Sequence, residues 1–253
     1  MPCSSRYLSL GSREAIAEYF GLLDQSLCAA DPGPFLSRYR SAFENLDQWT
    51  FHGVDRWLLS LVPYREAIAR LGAVYERNFE RYQRDVWPRE RPALEEVAAF
   101  INGHYAGRDV IAHWESLTGL TWKFDRYEIV LCAAIKGGPN ANSLGYERNL
   151  FYGGSDRVWM TQFVSHEVGT HILVDIGSEV MALGRYDYDY VYRALENLAR
   201  FYNGIILGSE KLYPMPADYR ADEFRALCAR LLAERPGATP RDLLTEALDR
   251  TRS

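Results

Sequence analysis

The chain has 253 residues, 47% of them hydrophobic and 25% charged, with a net charge of −5. That length supplies one large core or two small ones, and the composition excludes wholesale disorder. The mild negative charge argues against a nucleic-acid or anionic-membrane surface, and no run of about 18 apolar residues offers a membrane span.

The opening residues, "MPCSSRYLSLGSREAIAEYF", lack an uninterrupted apolar stretch, so no signal peptide is expected. Residues 12–30 place Ile16, Tyr19, Phe20 and Leu23 at helical spacing. "DPGP" at 31–34 breaks that helix, and another is expected after it. Residues 64–86 and 92–103 are amphipathic, divided by Pro88 and Pro92, and 108–119 is a short helix ended by Gly119. The segment 1–118 is therefore expected to be helical. "YEIVLCAAI" at 127–135 is rich in β-formers, "KGGPNANS" at 136–143 reads as a turn, and "LGYERNLFYGG" at 144–154 as a second strand, giving a hairpin. Ser155 or Asp156 can cap the next helix, which is expected to end near Gly177. Further helices follow over about 189–207, 217–233 and 239–251. The pattern predicts an α+β fold dominated by helix, with 119–253 as the catalytic segment of one continuous domain. The four cysteines are far apart and form no C-x-x-C, so neither a zinc knuckle nor a disulfide framework is expected, and a reducing, cytoplasmic setting is.

The chemistry concentrates in "QFVSHEVGTHILVDIG", 162–177. His166 and Glu167 are followed by His171, one residue more than the zinc-peptidase spacing H-E-x-x-H. Two His five apart lie about 140° round an ideal helix. A shared ion then requires a widened or distorted turn, for which Gly169 offers a bend and the Thr170 hydroxyl a bond back to the backbone. Otherwise the two are ordinary helix residues. A metal site needs a third protein ligand. Glu196 is the best candidate, because a short loop makes the two helices antiparallel and brings it level with the His pair. Asp175 and Glu179 are rivals, and Glu196 read alone is a surface carboxylate paired with Arg193 or Arg200.

"SHEVGTHIL" followed by "ENLA" resembles the tyrosine carboxypeptidase family of zinc peptidases, which includes tubulin-detyrosinating enzymes and bacterial relatives with a Q-E-G-L-A motif. The likeness covers about residues 127–207; Leu195 and Asn197 stand where that motif has Gln and Gly. The resemblance implies a zincin-like fold, zinc held by His166, His171 and Glu196, Glu167 as the catalytic base, and a peptide or protein substrate. A second group at the oxyanion would come from the tyrosines of "RYDYDYVYR", with Tyr192, one turn before Glu196, as the candidate. The hairpin strand at 144–154 could pair with an extended substrate, and Arg148, Arg185 or Arg193 could receive a carboxylate. His52, His104 and His113 lack ligand spacing. Two other readings stay open: a non-haem iron oxygenase using the same two His and one carboxylate, and a non-catalytic metal-binding module.

Overall fold

The computed structural model describes residues 10–40, 43, 53–133, 141–145, 147–209 and 211–251, the stretch 141–145 as backbone only. The chain divides into two compact units, Met1–Ala93 with Leu144–Tyr146, and Leu94–Ser143 with Glu147–Ser253. None of the described helices is long and apolar enough to cross a membrane.

The first unit is built from α1 (Arg13–Ala29), α2 (Gly33–Tyr39), α3 (Val54–Leu59) and α4 (Arg65–Arg81). Ser12 caps α1 by accepting from the Ala15 N–H, and Ala30 closes it in a left-handed conformation at φ 51°. Leu23, Leu27, Phe35, Leu36, Val54 and Leu58 form the core. Asp24 binds Arg65 at 2.7 Å, tying α1 to α4. The chain does not break at the prolines as expected: a π-helical turn at Tyr82–Val86 leads directly into α5 (Trp87–Tyr105), with Pro92 inside it. Pro88 stands in the first turn of α5, and the Trp87 N–H reaches back five residues to the Tyr82 carbonyl.

The second unit, which begins within α5, contains α6 (Val110–Thr118), β1 (Glu128–Cys132), the start of β2 (Ala141–Gly145), β3 (Arg148–Tyr152), α7 (Arg157–Ala182), α8 (Tyr188–Leu207), α9 (Ala221–Glu234) and α10 (Pro240–Thr251). Its core gathers α6 to α10, with Trp114, Leu173, Val180, Leu198, Leu231 and Leu244 fully buried. A smaller cluster of Val97, Ile101, Phe151, Met160 and Val164 joins α5, β3 and α7. The fold is thus mainly helical with a small sheet, as the α+β expectation requires.

The sheet corrects the expected hairpin. β1 and β3 pair in parallel, Glu128 opposite Arg148 through Cys132 opposite Tyr152, in the strand order β1-β3-β2. A tight turn cannot join parallel neighbours, so a longer crossover separates them. Part of it, 134–140 with most of the expected turn, lies outside the described residues. β3 is the central strand and offers no free edge to an extended substrate. Arg148 is buried rather than a surface arginine, and its guanidinium binds Glu128 at 2.7 Å.

The motif helix α7 is capped by Asp156, which accepts from the Trp159 N–H, but it runs past the expected end at Gly177 to Ala182. Gly177 serves packing: a Cβ there would lie 2.9 Å from a methyl of Leu195 on α8. Gly119 and Gly208 do end their helices in left-handed conformations.

The Arg148–Glu128 pair yields a stability contrast. Glu128→Ala leaves a buried guanidinium short of its main partner and should cost about 2–3 kcal/mol, just below the range of about 3–5 kcal/mol for a fully buried pair because Glu128 keeps some exposure. Asp175→Ala removes the exposed pair with Lys123 and should cost under about 1 kcal/mol. Urea denaturation of both variants checks the difference; equal losses would mean the buried pair is not a stabilising element.

Candidate active site

Helical geometry separates the motif residues. Neighbours on a helix point about 100° apart, whereas residues four apart share a face. Val164, Glu167, Val168 and His171 follow one face of α7, and His166 turns toward α8.

On the α8 side, His166 is fully buried and its Nε2 lies 2.9 Å from Oε2 of Glu196. The two helices run antiparallel: the Asn203 side chain donates to the Gln162 carbonyl at 2.9 Å, and Gly177 meets Leu195. Glu196 therefore comes level with His166, as expected. The His166 ring is clamped by Phe163, stacked at 5.4 Å and 7°, and by Tyr213, edge-on at 5.2 Å. Tyr213 stands in the loop after α8, where Arg200 donates to its carbonyl and lies 5.1 Å from its ring centroid.

On the strand side, Glu167 is buried and its Oε2 accepts from the Asn149 amide at 2.7 Å. Strand alternation places Asn149 on the same face of β3 as Phe151, toward α7. The Asn149 carbonyl oxygen accepts in turn from the Tyr127 hydroxyl at 2.8 Å. Burial holds the Glu167 carboxyl well above the usual carboxylate range, and the Glu196 charge adds to the rise; the hydrogen bond from Asn149 opposes it. Burial likewise raises the Tyr127 phenol, helped by the Glu167 charge.

His171 has different neighbours. Its ring packs 6.3 Å from Trp122 and 6.0 Å from Tyr127. The expected irregular turn is absent: α7 is α-helical throughout Arg157–Ala182. Gly169 does not mark a bend. A Cβ there would lie 2.2 Å from the fully buried Trp114 indole, so the glycine makes room for that ring. The Thr170 hydroxyl does return to a backbone carbonyl, that of Glu167, at 3.0 Å. His166 and Glu196 thus meet like two ligands of one ion. Among the described residues no three His, Cys, Asp or Glu side chains gather to hold a metal.

No family model, curated protein or solved structure matches this chain. The chemistry of the site rests on its own residues.

The rival ligands are engaged elsewhere. Asp175 binds Lys123, and Glu179 binds Arg241 at 2.9 Å, each about half exposed. Tyr192 stands at the open side of the site, near Glu196 and stacked on Tyr188. Burial and the Glu196 charge raise its phenol. Tyr186 and Tyr190 turn away, donating to Asp249 at 2.6 Å and to the Leu248 carbonyl at 2.9 Å, which fastens α10. Arg193 binds Asp218 at 3.2 Å, and Arg185 lines a separate cavity of about 340 Å³. His104 packs edge-on against Tyr105, and His52 lies outside the described residues.

The motif did not identify Asn149 or Tyr213. For Asn149 a signal exists: a lone amide on the inward face of a strand whose next inward residue is Phe151. Tyr213, in a loop with no periodicity, gives none. The departures from the Q-E-G-L-A pattern have packing roles: Leu195 fills the space beside Gly177, and buried Asn197 donates to the Tyr219 carbonyl at 2.6 Å.

Gly169→Ala tests the packing reading. Alanine favours a helix by about 1 kcal/mol over glycine, but overpacking a dense core costs typically about 1–3 kcal/mol. The variant should be less stable than the parent, with altered Trp114 fluorescence. A stabilised Gly169→Ala protein would show that Trp114 does not need the gap.

Proposed function

We propose that this chain is a zinc-dependent metallopeptidase that hydrolyses a peptide or amide bond, the resemblance adding a carboxypeptidase mode. One observation carries the reading: a buried carboxyl, Glu167, is held by Asn149 beside a His166–Glu196 pair of metal-ligating donors. An interior carboxyl is costly to bury, and a pair of such groups in one corner is the pattern of a working site rather than of a stabilising one.

His166 and Glu196 would hold the metal, which when bound supplies Lewis acidity and a water of lowered pKa. Glu167 takes a proton from the attacking water as the new C–O bond forms. It returns the proton to the amine nitrogen as the C–N bond breaks. With Oε2 fixed by Asn149, the carboxyl keeps one orientation through both transfers. The resemblance offers Tyr192, one turn before Glu196, as the second group at the oxyanion. The resemblance supplies His171 as third ligand; it joins the other two only if the turn after Glu167 departs from the α-helical path.

Metal content and turnover on the same preparations test this. The parent should carry about one zinc per chain and cleave peptides in a chelator-sensitive way. His166→Ala and Glu196→Gln should lose or weaken zinc, whereas Asp175→Ala should keep it. Zinc lost also in His171→Ala makes it the third ligand; zinc retained there places the third donor elsewhere. Stoichiometric iron with oxygen-dependent turnover would replace the peptidase with an oxygenase, and bound zinc without hydrolysis would leave a binding module.

A further inference from the structure

We propose that Tyr127 is a positioning residue for the hydrolysis: its hydroxyl fixes which way the Asn149 amide faces, so that Asn149 presents its donor end to Glu167. The role rests on the hydrolase reading above. The three groups form a chain. The Tyr127 hydroxyl donates to Oδ1 of Asn149 at 2.8 Å, and Nδ2 of Asn149 donates to Oε2 of Glu167 at 2.7 Å. Asn149 is fully buried. An amide has a donor end and an acceptor end of nearly equal size, so packing alone does not choose between its two orientations. The hydrogen bonds choose. With the amide reversed, Oδ1 would face the Glu167 carboxylate, oxygen against oxygen, and the phenol proton would lose the acceptor it now has.

Packing accounts for the ring but not for the hydroxyl. The Tyr127 ring lies edge-on to Trp122 at 6.0 Å and to His171 at 6.0 Å, contacts that phenylalanine would also make. What the hydroxyl adds is the bond to Asn149. Tyr127 stands just before β1 and Asn149 lies on β3, so the parallel pairing of these strands sets their spacing independently of α7. Glu167 comes from α7 and meets a donor whose direction is already chosen. A carboxyl that takes a proton from water and returns it to an amine must keep one orientation toward both. Held at Oε2, it cannot turn, and Oε1 is left for the proton transfer.

Tyr127→Phe removes the hydroxyl and keeps the ring. The variant should keep its zinc content and KM and lose kcat by about 10–100-fold, the usual worth of a group that orients a residue of a metal site. Asn149→Leu should lose at least as much. The two losses should not multiply: in an Asn149→Leu background, Tyr127→Phe should change kcat by less than about twofold, because its route to Glu167 is gone. Thermal unfolding of the metal-free proteins gives a second readout. Tyr127→Phe should lower the Tm of the parent but not that of Asn149→Leu, in which the phenol has already lost its acceptor. An unchanged kcat in Tyr127→Phe, or losses that multiply in the double variant, would overturn the role of Tyr127 and leave the hydrolase reading intact. A parent that hydrolyses no peptide would overturn that reading and this inference with it.

Discussion

Two carboxyl groups, Glu167 and Glu196, occupy one largely buried corner between β3, α7 and α8, close enough for the charge of one to raise the pKa of the other. Water would solvate both at no cost, so the fold must hold them there with specific partners. Asn149 binds Glu167, and His166 binds Glu196. The packing around the corner serves these contacts. Phe163 and Tyr213 fix the plane of His166, and Phe151 on β3 packs with Met160 and Val164 of α7, on the strand face that carries Asn149.

Two glycines let α7 pack closely against α6 and α8. Gly169 admits the Trp114 indole, and Gly177 admits Leu195. Both glycines lower intrinsic helix stability, so close packing must offset that loss. The 26-residue helix that results is straight in its hydrogen-bond pattern. Its regularity sends His166 and Glu167 to different sides and leaves His171 against Trp122 and Tyr127.

Local chemistry made much of this legible. Ser12 and Asp156 cap their helices through their own side chains, and Gly119 and Gly208 end theirs with left-handed backbones. The level of Glu196 follows from helix rise and a short loop. What failed was non-local. Gly177 looks like a helix stop until Leu195 of α8 is known. Gly169 looks like a bend until Trp114, far off in sequence, fills its space. A hairpin and a parallel pair have the same alternating pattern, and only the crossover distinguishes them. The angular mismatch of His166 and His171 was visible, but a distorted helix and a divided pair satisfy the spacing equally.

Whether the corner is a hydrolytic centre turns on Glu167 itself. The most direct measurement is peptide cleavage by Glu167→Gln, with zinc content determined on the same sample. Glutamine keeps the size and still accepts from Asn149, but its amide cannot take up the water's proton. The account requires zinc unchanged and hydrolysis lowered by a factor of about 10²–10⁴. Full activity in Glu167→Gln would contradict it.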